Sequence, residues 1–217
     1  MTIIRAGLRW LLKKLYRTRI AGLENLDNIG DNVIIVANHT SYLDVVLLYA
    51  FLPLPLTFAI NTHVARSSTL RIARLFFETF PMDPTSPLSM RSLIKRVDAG
   101  GNVVIFPEGR ITVTGSLMKI YQGPGLVALK TGAEVLPISI DGAQYTPFSR
   151  AKGRVRQRLF PEISLTVLPP RHLVVREHYR GRARRIEAGK MLSDIMTTTM
   201  SVSYTHLRAH ETNDLNS

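Results

Sequence analysis

Short runs of β-branched residues alternate with segments of helical periodicity along most of this 217-residue chain. Such alternation is typical of an α/β domain. We therefore predict a single α/β domain with a mixed central sheet flanked by helices. The predicted elements, in order, are a strand over 33–37, a helix over 41–51, a strand over 57–60, helices over 67–77 and 88–97, a strand over 103–106, a helix over 125–130, and strands over 135–140 and 163–168.

The N-terminal residues 1–20 predict an amphipathic helix that precedes this domain. The segment carries six basic and no acidic side chains, with Trp10 and Tyr16 suited to a membrane interface. Two uses of its apolar stripe stay open, a membrane surface or ordinary packing on the domain, and the basic bias favours the membrane. The charges also interrupt the apolar run that a cleaved signal peptide needs, so we expect the protein in the cytoplasm. The stripe consists of Ile4, Leu8, Leu11, Leu12 and Leu15.

Peripheral attachment is expected rather than a membrane-spanning helix. The longest uncharged stretch, 45–65, has about the 20 residues that a spanning helix requires. Pro53, Pro55, Asn61 and His63 interrupt it. We therefore expect the end of a buried helix, a proline turn and a strand in this stretch.

The charge balance predicts an anionic partner. The chain has 28 Lys and Arg against 16 Asp and Glu, a formal net charge of +12, which suits phospholipid, nucleic acid or an acidic protein. Basic residues occupy every second position over 150–158 and recur over 176–185, which predicts a charged face on an extended segment. No nucleic-acid partner is expected, because no helix-turn-helix, RNA-recognition or zinc pattern accompanies the charge.

The first polar motif follows the predicted strand 33–37 and begins the next helix. It reads Asn-His-Thr-Ser-Tyr-Leu-Asp over residues 38–44. A neutral His39 accepts a proton from an alcohol at physiological pH, and Asp44 on its other nitrogen would stabilise the imidazolium. The alternative is a helix start, with Ser41 as N-cap and Asp44 as its capping-box partner. The chain has no cysteine, so a thiolate nucleophile and a thiolate zinc site are excluded.

The second polar motif follows the predicted strand 103–106. It reads Phe-Pro-Glu-Gly-Arg over 106–110, and Lys119 lies further along the same loop. Arg110 offers a planar fork for phosphate, Gly109 permits close approach of backbone to a ligand, and Glu108 can orient a hydroxyl or Arg110. The alternative is a polar turn with a local Glu-Arg pair.

Together the two motifs resemble the glycerophospholipid acyltransferase family. The resemblance covers about residues 20–170 and includes Val-Leu-Pro-Ile at 135–138. It implies that His39 is the general base, that Asp44 orients it, and that Glu108, Gly109 and Arg110 bind the acceptor, with Lys119 as a further candidate. It also implies a lysophospholipid acceptor, acyl carrier protein or acyl-CoA as donor, and transfer without a metal or cofactor at the cytoplasmic face of the inner membrane. Backbone amides at the helix start are the expected oxyanion donors.

Departures from the family pattern bear on the acceptor. The region 80–84 lacks the usual basic residue, and 119–125 is longer than in enzymes acting on lysophosphatidic acid. The stretches 104–121 and 148–153 are most similar to the acyltransferase half of the bifunctional 2-acylglycerophosphoethanolamine acyltransferase/acyl-[acyl carrier protein] synthetase. The expected acceptor is therefore 2-acylglycerophosphoethanolamine, and the alternative is 1-acylglycerol 3-phosphate. In this scheme the basic segments face acidic acyl carrier protein or anionic lipid.

The C-terminal residues 201–217 are expected to lie outside the domain. They show no apolar periodicity, which predicts a disordered or non-native tail. The predicted acyltransferase domain is therefore 21–200.

Overall fold

In the residues that it describes, the computed structural model contains one sheet of seven strands. It describes residues 3–27, 29–62, 77–83, 86–151 and 153–214, with side chains described as far as residue 202. The strand order is β1-β7-β6-β2-β5-β3-β4. In chain order the strands are β1 Arg19–Ala21, β2 Val33–Ala37, β3 Leu56–Asn61, β4 Glu78–Met82, β5 Asn102–Ile105, β6 Glu134–Asp141 and β7 Ser164–Val167.

Strand directions bring the two polar motifs to one edge of this sheet. The pair β6–β7 is antiparallel and the other neighbours are parallel, so the sheet is mixed, as predicted. Because β2 runs parallel to β5 with Val36 opposite Ile105, the two strands end side by side. The loops that follow them therefore meet at the carboxyl edge, where α/β folds commonly place their sites.

Helices cover both faces of the sheet. All five residues of β2 are buried, as a parallel strand covered on both faces requires. Its residues alternate between two apolar clusters, with Val33 and Ile35 facing Leu48 of the helix Leu43–Phe51, and Ile34 and Val36 facing Leu93 of the helix Pro87–Asp98. The described helices are α1 Ile3–Tyr16, α2 Leu43–Phe51, α3 Pro87–Asp98, α4 Gln122–Thr131 and α5 Gly181–Asp214.

Short local signals fix several helix boundaries. Ser86 caps α3 by accepting a hydrogen bond from the Ser89 amide, and Gly132 ends α4 in the left-handed conformation with φ of 65°. The crossing of α4 and α5 is close, since a Cβ on Gly125 would lie only 2.5 Å from the Ala188 carbonyl oxygen.

Most predicted elements are confirmed within two or three residues, and the differences are local. Helix α2 begins at Leu43 rather than 41, because Ser41 instead forms a β-bridge with Ser149. Strands β1 and β4 were not predicted. Strand β1 has only three residues, and β4 contains Pro81, which masks the strand pattern. The helix predicted over 67–77 lies almost entirely outside the described residues.

The last helix is longer than the sequence pattern indicates. Its backbone is helical from Gly181 to Asp214, whereas the sequence predicted a disordered or non-native tail over 201–217. Once a helix is nucleated, each added residue contributes a hydrogen bond, so it continues without an apolar stripe. Whether the tail is native stays a prediction.

Helix α1 divides its apolar residues between the domain and the outside. Leu12 and Tyr16 are buried, and Leu8 and Leu15 pack against the same cluster. Packing against the domain is therefore confirmed for this half of the stripe. The outward set is Ile3, Ile4, Trp10 and Leu11.

Two of the basic residues and one aromatic residue of α1 do not face outward as the membrane interpretation expected. Arg5 is buried over the ring of Tyr49, and Arg9 donates to the Ala50 carbonyl at the end of α2. Tyr16, expected at an interface, packs edge-on against Phe160. No helix in the described ranges is both long and apolar enough to cross a bilayer.

Candidate active site

His39 and Asp44 form a hydrogen-bonded pair at the end of β2. His39 Nδ1 lies 2.9 Å from Asp44 Oδ2, with the aspartate side chain fully buried and the histidine side chain 15% exposed. A carboxylate only accepts, so Nδ1 carries the proton and Nε2 of the neutral ring keeps its lone pair. The predicted pair is therefore present, with a ring nitrogen available to take a proton from an alcohol.

Asp44 also shapes the start of α2. Its Oδ2 accepts the Thr40 amide at 2.6 Å and the Ser41 amide at 2.9 Å. The Ser41 amide bond is one half of the capping box considered above, while the Ser41 hydroxyl accepts from the Leu43 amide instead of completing it. One carboxylate thus serves both roles that the sequence left as alternatives.

The expected oxyanion donors at the helix start are already occupied. The amides of Thr40 and Ser41 are bound by Asp44, and those of Tyr42 and Leu43 donate to the Phe148 carbonyl and the Ser41 hydroxyl. The amides of residues 39 and 44 likewise have partners inside the protein. That part of the predicted mechanism is wrong, because each amide from 39 to 44 already donates to a partner inside the protein, two of them to Asp44 and the others to Glu108, Phe148 and Ser41.

Asn38 fixes the start of the histidine loop, residues 38–42, to β6. Its side-chain amide donates to the Ile140 carbonyl at 2.8 Å, and its oxygen accepts the Ile140 amide at 2.8 Å. The side chain is buried. The arrangement imitates one further pair of the β2–β6 ladder, so His39 leaves the sheet at a defined point.

Glu108 joins the histidine loop to the 106–121 loop. Its Oε1 accepts the His39 amide at 2.8 Å, and its Oε2 accepts the Met118 amide at 2.8 Å. Burial raises the pKa of this carboxyl above its ordinary value, and the two amide bonds oppose that rise. The structure describes both Glu108 and Arg110 and shows no ion pair between them. The alternative of a polar turn with a local Glu-Arg pair is therefore wrong.

Phe106 and Thr112 hold His39 from the same loop. The rings of Phe106 and His39 stack with centroids 4.0 Å apart and an angle of 16°. The Thr112 amide donates to the His39 carbonyl at 2.8 Å. These contacts restrict both the ring and the backbone of the histidine.

Gly109, Arg110 and Lys119 lie on the exposed part of the 106–121 loop. Gly109 has φ of 69°, and a Cβ there would lie 3.1 Å from the Tyr121 ring. Glycine is therefore required at position 109 by the backbone conformation and by the contact with Tyr121, whereas the sequence suggested that it lets the backbone approach a ligand. Among the described residues Arg110 and Lys119 form no ion pair. Both cations are thus available to an anionic ligand, and their role in binding one stays a prediction.

The basic segment 150–158 turns instead of extending. The amides of Arg154 and Val155 both donate to the Ala151 carbonyl, so the predicted charged face on an extended segment is wrong. Val155 lies near Gly115, where a Cβ would be 3.5 Å from its side chain. The segment therefore borders the 106–121 loop. Its described arginines, all exposed, are Arg150, Arg154, Arg156 and Arg158.

The structure thus joins His39, Asp44 and Glu108 directly, and carries the other predicted residues on the adjoining loop. Sequence reasoning missed Asn38 and Phe106 as supports of the histidine, although both are the first residues of their motifs. Within the described ranges no group of three or more His, Asp and Glu side chains is arranged to hold a metal ion.

The family model described as Acyltransferase matches residues 17–141. The chain belongs to this family. Its fold is similar to the crystal structure of the 1-acyl-sn-glycerophosphate acyltransferase PlsC from Thermotoga maritima. That comparison has a TM-score of 0.65 and 20% identity over 95% of this chain and 84% of the other. The predicted α/β fold class is confirmed by this similarity.

Two relatives represent the sequence comparisons. A chloroplastic 1-acyl-sn-glycerol-3-phosphate acyltransferase of Brassica napus is 32% identical over 58% of this chain and 38% of its own length. The 1-acyl-sn-glycerol-3-phosphate acyltransferase of Pseudomonas aeruginosa is 27% identical over 68% of this chain and 55% of its own length. The chain therefore spans about two fifths to one half of these relatives. Membership of the acyltransferase family is confirmed, and the resemblance to the bifunctional enzyme is not supported by these matches.

Proposed function

We propose that this protein transfers a fatty acyl group from a thioester to the free hydroxyl of 1-acylglycerol 3-phosphate. The observation that carries the proposal is the 2.9 Å bond between His39 Nδ1 and the buried Asp44 carboxylate. It leaves Nε2 as a base beside a loop with exposed cations. The described contacts of the His39 ring are with Asp44 and Phe106, and neither is an alcohol or a thiol. Such a base suits a reaction in which the substrate's alcohol attacks.

The proposed reaction has two proton transfers. His39 Nε2 takes the proton of the acceptor hydroxyl as its oxygen bonds to the thioester carbon. The carbon–sulfur bond then breaks, and the imidazolium returns the proton to the departing thiolate. Buried Asp44 stabilises the imidazolium between these steps, because its negative charge lies within hydrogen-bond distance of the ring.

The proposed acceptor carries a phosphate monoester. Exposed Arg110 supplies a planar fork for two phosphate oxygens, and Lys119 adds a second positive charge on the same loop. Gly109 supports this placement by letting the chain turn just before Arg110. The names of the relatives from Brassica napus and Pseudomonas aeruginosa also favour this acceptor over 2-acylglycerophosphoethanolamine.

One assay separates these acceptors and the two donors. Purified protein is given acyl-[acyl carrier protein] or acyl-CoA with either lysophosphatidic acid or lysophosphatidylethanolamine, and products are resolved by mass. Phosphatidic acid as the main product is expected. Exclusive acylation of lysophosphatidylethanolamine would restore the first acceptor prediction, and free fatty acid alone would indicate a hydrolase. His39→Ala, folded by circular dichroism, is expected to lose roughly 100-fold or more in rate.

We also propose that the outward face of α1 attaches the protein to the cytoplasmic face of the membrane. Exposed Trp10 and Ile4 are flanked by exposed Lys13 and Lys14, a combination suited to an anionic interface. Deleting the helix would also remove its buried residues, so Trp10→Glu is the sharper test. This change is expected to weaken binding to vesicles with anionic lipid, whereas Val174→Glu, at another exposed apolar residue, is the control. Equal binding by both variants would place the contact elsewhere.

A further inference from the structure

His39 is held from several directions by the loop that carries Arg110. Its amide donates to Glu108, its carbonyl accepts the Thr112 amide, and its ring stacks on Phe106. The bond from Nδ1 to Asp44 comes from its own loop. The position of the base is therefore defined mainly by the 106–121 loop.

Of the residues that contact His39, Glu108 also binds a distant part of the 106–121 loop. Its two oxygens bind amides of residues separated by 79 positions, His39 and Met118, each at 2.8 Å. The side chain is only 2% exposed, so water does not compete strongly for these bonds. Lys119 follows Met118 directly in the sequence. Glu108 therefore connects the backbone next to the Lys119 cation with the backbone of His39.

We propose that Glu108 is a positioning residue that fixes the distance between the base His39 and the cations of the 106–121 loop. This inference rests on the proposed function for its kinetic meaning, and it differs from the substrate-binding role that the family resemblance implied. Both carboxylate oxygens already accept a backbone N–H, so Glu108 acts on the substrate through the two loops it joins. Losing the link shifts the base relative to the bound acceptor, and displacements of about 1 Å cost up to roughly 100-fold in rate.

Glu108→Gln breaks the link with the smallest change in shape. A glutamine side chain has one oxygen acceptor, and its NH₂ group would face the N–H of the other amide. Glu134→Gln is the matched control. Its Oε2 likewise accepts a backbone amide from another loop, that of Gly30 at 2.8 Å. Glu134 is the first residue of β6 and lies at the opposite edge of the sheet.

Two measurements on these variants test the proposal. In kinetics, Glu108→Gln is expected to lower kcat by roughly 10- to 100-fold with acceptor KM nearly unchanged, and Glu134→Gln to change neither. In amide hydrogen exchange without substrate, Glu108→Gln is expected to speed exchange at His39 or Met118 by about tenfold or more, the equivalent of one charged hydrogen bond.

Each contrary outcome has a distinct meaning. A raised acceptor KM with unchanged kcat would overturn the proposal in favour of direct substrate binding by Glu108. Unchanged exchange at both amides would overturn it as well, even if the purified protein proved inactive with every acceptor. Inactivity of the wild type alone would refute the proposed function, while the exchange result would still decide whether Glu108 links the two loops.

Discussion

Replacing Asp44 with Asn separates the charge of this residue from its hydrogen bonds. The carboxylate accepts the amides of Thr40 and Ser41 and the ring nitrogen of His39. An asparagine oxygen in the place of Oδ2 still accepts from both amides, and its NH₂ group faces the Thr40 hydroxyl, which lies 3.4 Å from Oδ1. Only the negative charge is removed.

The magnitudes distinguish Asn from Ala at this position. In Asp44→Ala two buried amides lose their acceptor at a cost of ~1–3 kcal/mol each, or about 2–6 kcal/mol in total. In Asp44→Asn the same bonds become neutral, which weakens each by about 1 kcal/mol. The asparagine variant is therefore expected to fold with a loss of about 2 kcal/mol. Its acyl transfer is expected to fall roughly 100- to 10,000-fold, because the imidazolium loses its stabilising charge.

Urea unfolding and the product assay measure the two effects on the same preparations. Asp141→Asn is the control for the chemical change, because Asp141 accepts a hydrogen bond from Gln144 near the same edge of the sheet. Near wild-type activity of a folded Asp44→Asn protein would refute the charge argument. Equal stability of the Asn and Ala variants would refute the assignment of the amide bonds.

Three further predictions concern the supports of the site. Asn38→Ala removes both bonds to β6 and is expected to cost about 2–5 kcal/mol in urea unfolding; a loss below 1 kcal/mol would show that the ladder does not need this side chain. Burial raises the pKa of Glu108, so this carboxyl stabilises the folded protein fully below the pKa that it has in the unfolded chain. That stabilisation is lost as the pH rises through the pKa of the carboxyl in the folded protein. Wild-type stability relative to Glu108→Gln, measured by urea unfolding at a series of pH values, is therefore expected to decline over that window, and a rise would contradict the direction. Gly109→Ala is expected to cost about 1 kcal/mol or more in thermal unfolding, because alanine tolerates the positive φ poorly and contacts Tyr121; unchanged Tm would show that the loop adapts freely.

The central strands and helices were predictable because their patterns are local. Strand β2 has the bounds predicted for it, since a continuous β-branched run between polar residues has few other uses. Strand β1 was not predictable in this way. Its three residues gain their hydrogen bonds from β7, more than 140 positions away, so nothing local marks it.

The active-site pair was predictable for a similar reason, and its surroundings were not. His39 and Asp44 are five residues apart, and a helix start brings such positions together. The contacts of His39 with Phe106, Glu108 and Thr112 depend instead on the parallel pairing of β2 and β5, which places two distant loops at one edge.

The sequence by itself determined the α/β class, the histidine–aspartate pair and the family, because each rests on short-range patterns of residue type. The tertiary structure decided the role of each side chain. Glu108, predicted to bind the acceptor, accepts backbone amides from two loops, and the amides at the helix start already have partners inside the protein. The physical reason is that a polar group in a buried site binds the nearest partner, and the packing of the sheet decides which partner that is.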